Sequence, residues 1–220
     1  MRTRYFAACG LLVLAALAAI ALAYPSLPER IPLHWNAHGA VDGYGPRWML
    51  LVVGPGLMIL ELAIFAALPT LSPKRFGLES FNAIYLRLML VAVAFPGYLL
   101  AIVLGAALTG RLDVSGAILG GVSVLIVFIG NLMGKVRRNF FIGIRTPWTL
   151  ASERVWYATH RLAAKSMVIS GLASFAAAVW GGLAGTLAWV GCVLVGVAIP
   201  IAYSFLHYKA LERTGRLEPS

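Results

Sequence analysis

A run of twenty residues without a single charge constrains this chain more than any other feature. Residues 5–24, YFAACGLLVLAALAAIALAY, would extend about 30 Å as a helix, the thickness of a bilayer's hydrocarbon core. Arg2 and Arg4 precede the run, as basic residues precede a cleaved secretion signal. The apolar part of such a signal is shorter, about 7–15 residues, and Tyr24-Pro25 is a poor cleavage site, so a retained helix is expected. Five more apolar runs follow, at residues 48–68, 81–108, 114–133, 166–180 and 186–206. Only 12% of the residues are charged, against about 25% in a soluble domain. In lipid every backbone polar group needs an internal partner, which leaves helices as the economical way to cross. The expected fold is an all-α integral membrane protein with six transmembrane helices. Pro96-Gly97 should kink the third, and Gly181-Gly182 should end the fifth.

The connecting segments set the topology. Residues 25–47 carry Pro25, Pro28, Pro32 and Pro46 with Gly39, Gly43 and Gly45, so they form a polar loop or a short hairpin-like cap rather than a helix. Residues 69–80 read as a short loop with Lys74, Arg75 and Glu79, 109–113 as a tight turn and 208–220 as a polar tail. Six spans put both termini on one side. That side would hold Arg2, Arg4, Lys74, Arg75, Arg87, Lys209, Arg213, Arg216 and seven cations of residues 135–165, fifteen in all. Only Arg30, Arg47 and Arg111 fall on the other. Positive charge is retained on the cytoplasmic face, so both termini are expected there and the 25–47 loop outside. The expected domains are a two-helix unit, residues 1–80, and a four-helix unit, residues 81–220. Cys9 and Cys192 lie in apolar runs and suggest no disulfide framework.

Residues 135–165, KVRRNFFIGIRTPWTLASERVWYATHRLAAK, stand apart from everything around them. Lys135, Arg137, Arg138, Arg145, Arg154, Arg161 and Lys165 face one acid, Glu153, among Phe140, Phe141, Trp148, Trp156 and Tyr157. Such a segment belongs at an anionic membrane surface, and the formal charge of +10 is read as this lipid attraction rather than as direct nucleic-acid binding. Gly143 and Thr146-Pro147 break helix locally. Thr149 should then open an in-plane interfacial helix reaching Lys165, with Ser152 as an alternative cap. Val155, Trp156, Thr159, Leu162 and Ala163 share one face, whose aromatic side would sit among the headgroups.

Three groups of residues are candidates for chemistry. His34, His38 and Asp42 are spaced by four and four, a pattern that suits a metal such as Zn²⁺ on a helix, but Pro32, Gly39 and Gly43 argue against a helix there. The plainer reading is a structural cap in which His34, Asn36 and Asp42 bond loop backbone. Glu61 is an acid well inside a span and should face the bundle interior, paired with Arg87 or an outer-loop residue, or serve in proton or substrate coupling. Arg145, Trp148, His160 and Arg161 would dock a cytoplasmic partner or anchor the segment to lipid. No phosphate-binding loop, HExxH or Ser/His/Asp pattern occurs, no cofactor is expected, and the chain is not expected to be an enzyme. Gly181-Gly182-x-x-Gly185 and the glycines at 191 and 196 permit close helix packing.

The central segment resembles the bacterial SdpI family, which carries N-x-x-x-G-I-R-T-P-W-T-L followed by W-x-x-T-H-R. Asn139, Gly143, Ile144, Arg145, Thr146, Pro147, Trp148, Thr149, Leu150, Trp156, Thr159, His160 and Arg161 match that pattern. The 25–47 loop resembles a small membrane domain of unknown function that precedes SdpI-like proteins, P-x-x-I-P-x-H-W/F-N-x-x-G-x-x-D-G. Pro28, Ile31, Pro32, His34, Trp35, Asn36, Gly39, Asp42 and Gly43 match it; His38 does not belong to it. The resemblance implies a six-span protein of the bacterial cytoplasmic membrane. Its founding member protects the cell against a secreted peptide toxin and draws a cognate transcriptional repressor to the membrane. It therefore implies ligand contacts at His34, Trp35, Asn36, Gly39, Asp42 and Gly43. It also implies partner docking at Asn139, Gly143, Arg145, Thr146, Pro147, Trp148, Thr149, Trp156, His160 and Arg161. The alternatives are a small permease centred on Glu61 and a metal-dependent membrane enzyme using His34, Asp42 and Glu61.

Overall fold

The computed structural model describes residues 1–71, 77 and 81–217. Among them are α1 (Arg2–Ala23), α2 (Met49–Leu71), α3 (Asn82–Thr109), α4 (Val114–Met133), the short α5 (Pro147–Ala151), α6 (Glu153–Trp180) and α7 (Gly182–Arg213). All but α5 are long and apolar enough to cross a membrane, which makes this a six-span helical membrane protein. Most of the expected loop at 69–80, including Lys74, Arg75, Glu79 and the domain boundary at residue 80, lies outside the described residues.

Local chemistry explains where the helices stop. Gly110, at φ +62°, follows α3 and returns its N–H to Ala106 O at 2.9 Å. Asp113 Oδ1 then accepts from Gly116 N at 3.0 Å and caps α4. Gly181 and Gly182 both have positive φ and separate α6 from α7, as the glycine pair foretold. In α2, Pro55 has no N–H to donate, and residues Val52–Gly56 widen into a single π turn that accommodates it. Pro96 lies inside α3, which continues through it as helix.

The central segment departs from expectation. No separate in-plane helix runs over 149–165. A one-turn helix, α5, precedes Ser152, and from Glu153 a single helix continues without interruption through Trp180. Nothing between Lys165 and Ser166 breaks helix, so the interfacial piece and the fifth span are one rod. Its supposed headgroup face is turned inward: Val155, Trp156, Thr159 and Ala163 are fully buried. At the other end of the chain, α7 runs to Arg213, past the expected limit of 206.

The chain divides into two compact units. One comprises Met1–Ala67, Leu86–Gly121 and Ala178–Thr186. Its core includes Ile20, Ile31, Leu50, Met58, Met89 and Val93. It also holds an antiparallel hairpin, β1 (Arg30–Trp35) and β2 (Val41–Pro46), so the proline- and glycine-rich loop is hairpin-like. The other unit comprises Leu68–Tyr85, Val122–Ala177 and Leu187–Ser220, and buries Leu132, Val136, Val155, Trp156 and Ala163.

Arg47 ties the hairpin to the end of α1. Its Nη1 donates to Tyr24 O and to Leu27 O, each at 3.1 Å, and its guanidinium lies 4.3 Å from the Tyr24 ring centroid. Charge-assisted bonds of this kind contribute about 1.5–3 kcal/mol each when buried, and the ring contact adds to them. Replacing Arg47 by Ala should therefore lower the unfolding free energy by about 2–3 kcal/mol. Faster hydrogen exchange should appear across residues 24–47; unchanged exchange there would show that the clamp holds nothing.

Candidate functional site

Two segments of irregular backbone carry the residues singled out above, and each is organised by one asparagine. In the hairpin turn, Asn36 Oδ1 accepts from His38 N at 2.9 Å and from Ala40 N at 3.1 Å. Its backbone N–H donates to Ala40 O at 2.9 Å, and Gly39 adopts φ +81° to close the turn. The register then slips twice. Pro32 faces Tyr44, His34 faces Gly43 and Trp35 faces Val41, which leaves Leu33 and Asp42 as extra residues. His34 Nδ1 and Asp42 Oδ1 bond across the slip at 2.5 Å, with both side chains well exposed. A Cβ at Gly43 would stand 2.8 Å from His34 Cβ, so the glycine makes room for that pair.

The structural-cap reading thus fits Asn36, while His34 and Asp42 bond each other. His38 is exposed, and its backbone rather than its ring takes part in the turn. Among the described residues no three His, Cys, Asp or Glu side chains stand close enough to share a metal ion. Beneath β1 lies a cavity of about 620 Å³. Trp35 and Leu33 line it, with Val53, Leu100, Val103 and Ile118 from the helices.

Glu61 sits in α2, half-buried. Its Oε2 is enclosed and has no hydrogen-bond partner among the described residues. The expected pairing with Arg87 is not formed, and Arg87 is exposed.

The second irregular segment, 134–152, is held by Asn139, which is fully buried. Its Oδ1 accepts from Phe141 N at 2.8 Å and Ile142 N at 2.7 Å. Its Nδ2 donates to Arg137 O at 2.9 Å and Ile142 O at 2.8 Å. Thr146 caps α5 in a reciprocal box with Thr149, whose hydroxyl also reaches Ile144 O at 2.8 Å. Thr149 therefore sits inside the first turn rather than opening a long helix. Ser152, the alternative cap, accepts from Val155 N at 3.3 Å at the start of α6. Pro147 occupies the first helical position, where no N–H is needed.

Trp156 and His160, one turn apart on α6, stack with centroids 4.1 Å apart and are buried. Trp156 Nε1 donates to Val136 O at 2.9 Å, so the ring is a strut of the fold and not a headgroup anchor. Ile144 N–H, which only donates, points at His160 Nε2 from 3.0 Å. Nε2 must then be unprotonated, and Nδ1 carries the proton to Trp156 O at 2.8 Å. This ring is neutral where it stands. Gly143, at φ +113°, allows the approach, since a Cβ there would collide with His160 Nε2.

The remaining residues of the pattern face outward or clasp α7. Thr146 Oγ1 lies 3.1 Å from Ser204 Oγ, and Trp148 packs half-buried against Phe205, centroids 4.9 Å apart. Arg138 reaches Glu153 at 3.5 Å and Leu150 O at 3.4 Å. Lys135, Arg137, Arg145, Arg161 and Lys165 are exposed, and Arg145 Nη1 donates to Phe140 O at 2.5 Å. The pattern therefore separates into an inner set, Asn139, Gly143, Thr149, Trp156 and His160, that shapes the backbone, and an outer set of cations displayed by it. Arg47 and Ser204 are part of these arrangements yet had no motif to mark them.

Six spans, a hairpin and a shaped basic loop define a multi-pass membrane protein with two irregular polar segments. Comparison with known proteins finds family models that match parts of it. Residues 135–204 match the SdpI/YfhL protein family, and residues 11–59 match a domain of unknown function, DUF1648. Over those residues the chain is similar to the SdpI family, with a DUF1648 match ahead of it. It is 27% identical over 189 residues to "Immunity protein SdpI" of Bacillus subtilis (strain 168), covering 86% of this chain and 88% of that protein. No solved structure matches. The chain is accordingly a multi-pass protein of the cytoplasmic membrane.

The histidine contact makes the inner set testable. His160→Phe keeps a flat ring against Trp156 but leaves Ile144 N–H without its acceptor, which should cost about 1–3 kcal/mol. Gly143→Ala should cost a similar amount through backbone strain. Thermal unfolding in detergent checks both, and a variant as stable as the parent would refute the assigned contact.

Proposed function

We propose that this chain is an SdpI-like immunity protein that meets a secreted peptide toxin on its hairpin side and reports to a cytoplasmic partner through residues 135–165. The observation that carries the reading is the match of nearly the whole chain to an immunity protein, over 88% of that protein's length. The excess of Lys and Arg on one set of connections supports the orientation, with the hairpin outside and both termini in the cytoplasm. The basic loop supports the reporting role. Its inner residues fix the backbone, so Arg145 and Arg161 are presented from a rigid element, as a docking surface requires. The same cations attract anionic lipid, and a partner such as a transcriptional repressor would approach along the membrane surface.

Orientation and role are tested separately. In a chain whose Cys9 and Cys192 are replaced by Ala, His38→Cys should react with an impermeant maleimide in intact cells and Arg145→Cys should not. Labelling of both from one side would reverse the account. In a toxin challenge, Arg145→Ala should abolish reporting while the protein still inserts at the parental level; wild-type reporting would remove the loop from the signalling path.

A second reading, a small permease, draws on one observation: the enclosed, unpartnered Oε2 of Glu61. A carboxyl inside a span is costly and is often part of a transport path. Glu61→Gln should then stop flux in vesicles, and full flux in that variant dismisses the permease.

A further inference from the structure

The cavity beneath the hairpin has one wall that pockets between helices do not have, the edge of a β-strand. Leu33, His34 and Trp35 of β1 line it together with Asn36 and Ala37 of the turn, and no residue of β2 does. The sheet has two strands, so β2 covers one edge of β1 and no strand covers the other. Because β1 lines the cavity and β2 does not, the cavity lies on the side of β1 that β2 leaves open. In an antiparallel pair, alternate residues turn N–H and C=O away from the partner strand. The bulge at Leu33 re-aims the backbone at this point. The opposite wall is aliphatic, with Val53 and Leu57 from α2, Leu100 and Val103 from α3 and Ile118 from α4.

A strand edge and an aliphatic wall lining one cavity select one chemistry. The edge needs hydrogen-bonding backbone, because polar main chain left unpaired beside apolar side chains is costly. The wall needs aliphatic groups. An extended peptide meets both demands, pairing its backbone with the strand and directing alternate side chains inward. A lipid acyl chain would satisfy only the wall. A volume of about 620 Å³ is in the usual range of ligand sites, about 300–1,000 Å³.

We propose that this cavity binds an extended peptide segment as a third strand on β1, with its alternate aliphatic side chains against Val103 and Ile118. Assigning that peptide to a secreted toxin rests on the immunity reading above; the site itself does not.

The test uses the full chain in nanodiscs of phosphatidylethanolamine and phosphatidylglycerol. The probe is a capped octapeptide alternating leucine and serine, with one leucine replaced by its diazirine analogue. Photo-adducts are expected on residues 99–103 and 115–119. Val103→Trp and Ile118→Trp, from two different helices, should each reduce the yield about tenfold, as should full N-methylation of the probe. The N-methylated probe requires no variant, so misfolding of either substitution leaves the comparison intact. Absence of adducts at those residues overturns the proposal, and so does equal labelling by the N-methylated probe. A diazirine fatty acid that labels the same residues and displaces the peptide would make the cavity a lipid pocket and overturn it too. Protection in a toxin challenge is scored apart. Labelling by a wild-type chain that gives no protection sinks the immunity reading and leaves the site standing. Protection that survives when either tryptophan variant has lost labelling breaks the link between the two.

Discussion

Backbone that leaves the helical state loses its regular hydrogen bonds, and two irregular segments of this chain, 25–47 and 134–152, must replace them. Both departures are made tolerable by an asparagine. Asn36 Oδ1 accepts two N–H groups of the hairpin turn, and Asn139 satisfies two N–H and two carbonyl groups of the basic loop. An amide side chain suits this work because it donates and accepts at once and carries no charge to desolvate. Removing Asn139 would strand several part-buried groups together, a cost beyond that of one hydrogen bond.

Around each asparagine the same economy recurs. In the loop, a histidine ring stands in for the missing turn of helix: its Nε2 accepts a hydrogen bond from Ile144 N–H and its Nδ1–H donates one to Trp156 O. The stacked Trp156 spends its indole N–H on Val136 O. In the hairpin, two compensating slips let His34 meet Asp42 while Leu33 turns toward the cavity. Polar residues that a motif search would name as ligands are largely occupied in making the backbone stand where it does. In the second unit these residues leave a set of guanidinium groups exposed, those of Arg137, Arg145 and Arg161.

Much of the architecture was legible because lipid imposes a simple length rule. Val114–Met133 emerged as read, and the glycine pair at 181–182 ended its helix as glycine should. The proline- and glycine-rich segment became a hairpin for the expected reason, exclusion of helix. The central segment was less legible. Its apolar face at 155, 156, 159 and 163 was real, but amphipathicity records only that one side avoids water. It does not say whether protein or headgroup covers that side, and here protein does. The partner imagined for Glu61 failed for a related reason, since spacing along two helices says nothing of their rotation about their own axes.

The linear sequence was enough to indicate six membrane crossings, the two polar segments between them and, through its motifs, the family it resembles. These follow from one-dimensional quantities: the length of an uncharged run, the sites where proline and glycine forbid helix, and the order of a motif. Only the tertiary structure decided that Trp156 and His160 are internal struts, that Arg47 clamps the hairpin to the first helix, and that a strand edge borders a cavity. Each of those depends on groups far apart in sequence coming within a few ångströms, and distance between elements is what a linear pattern does not encode.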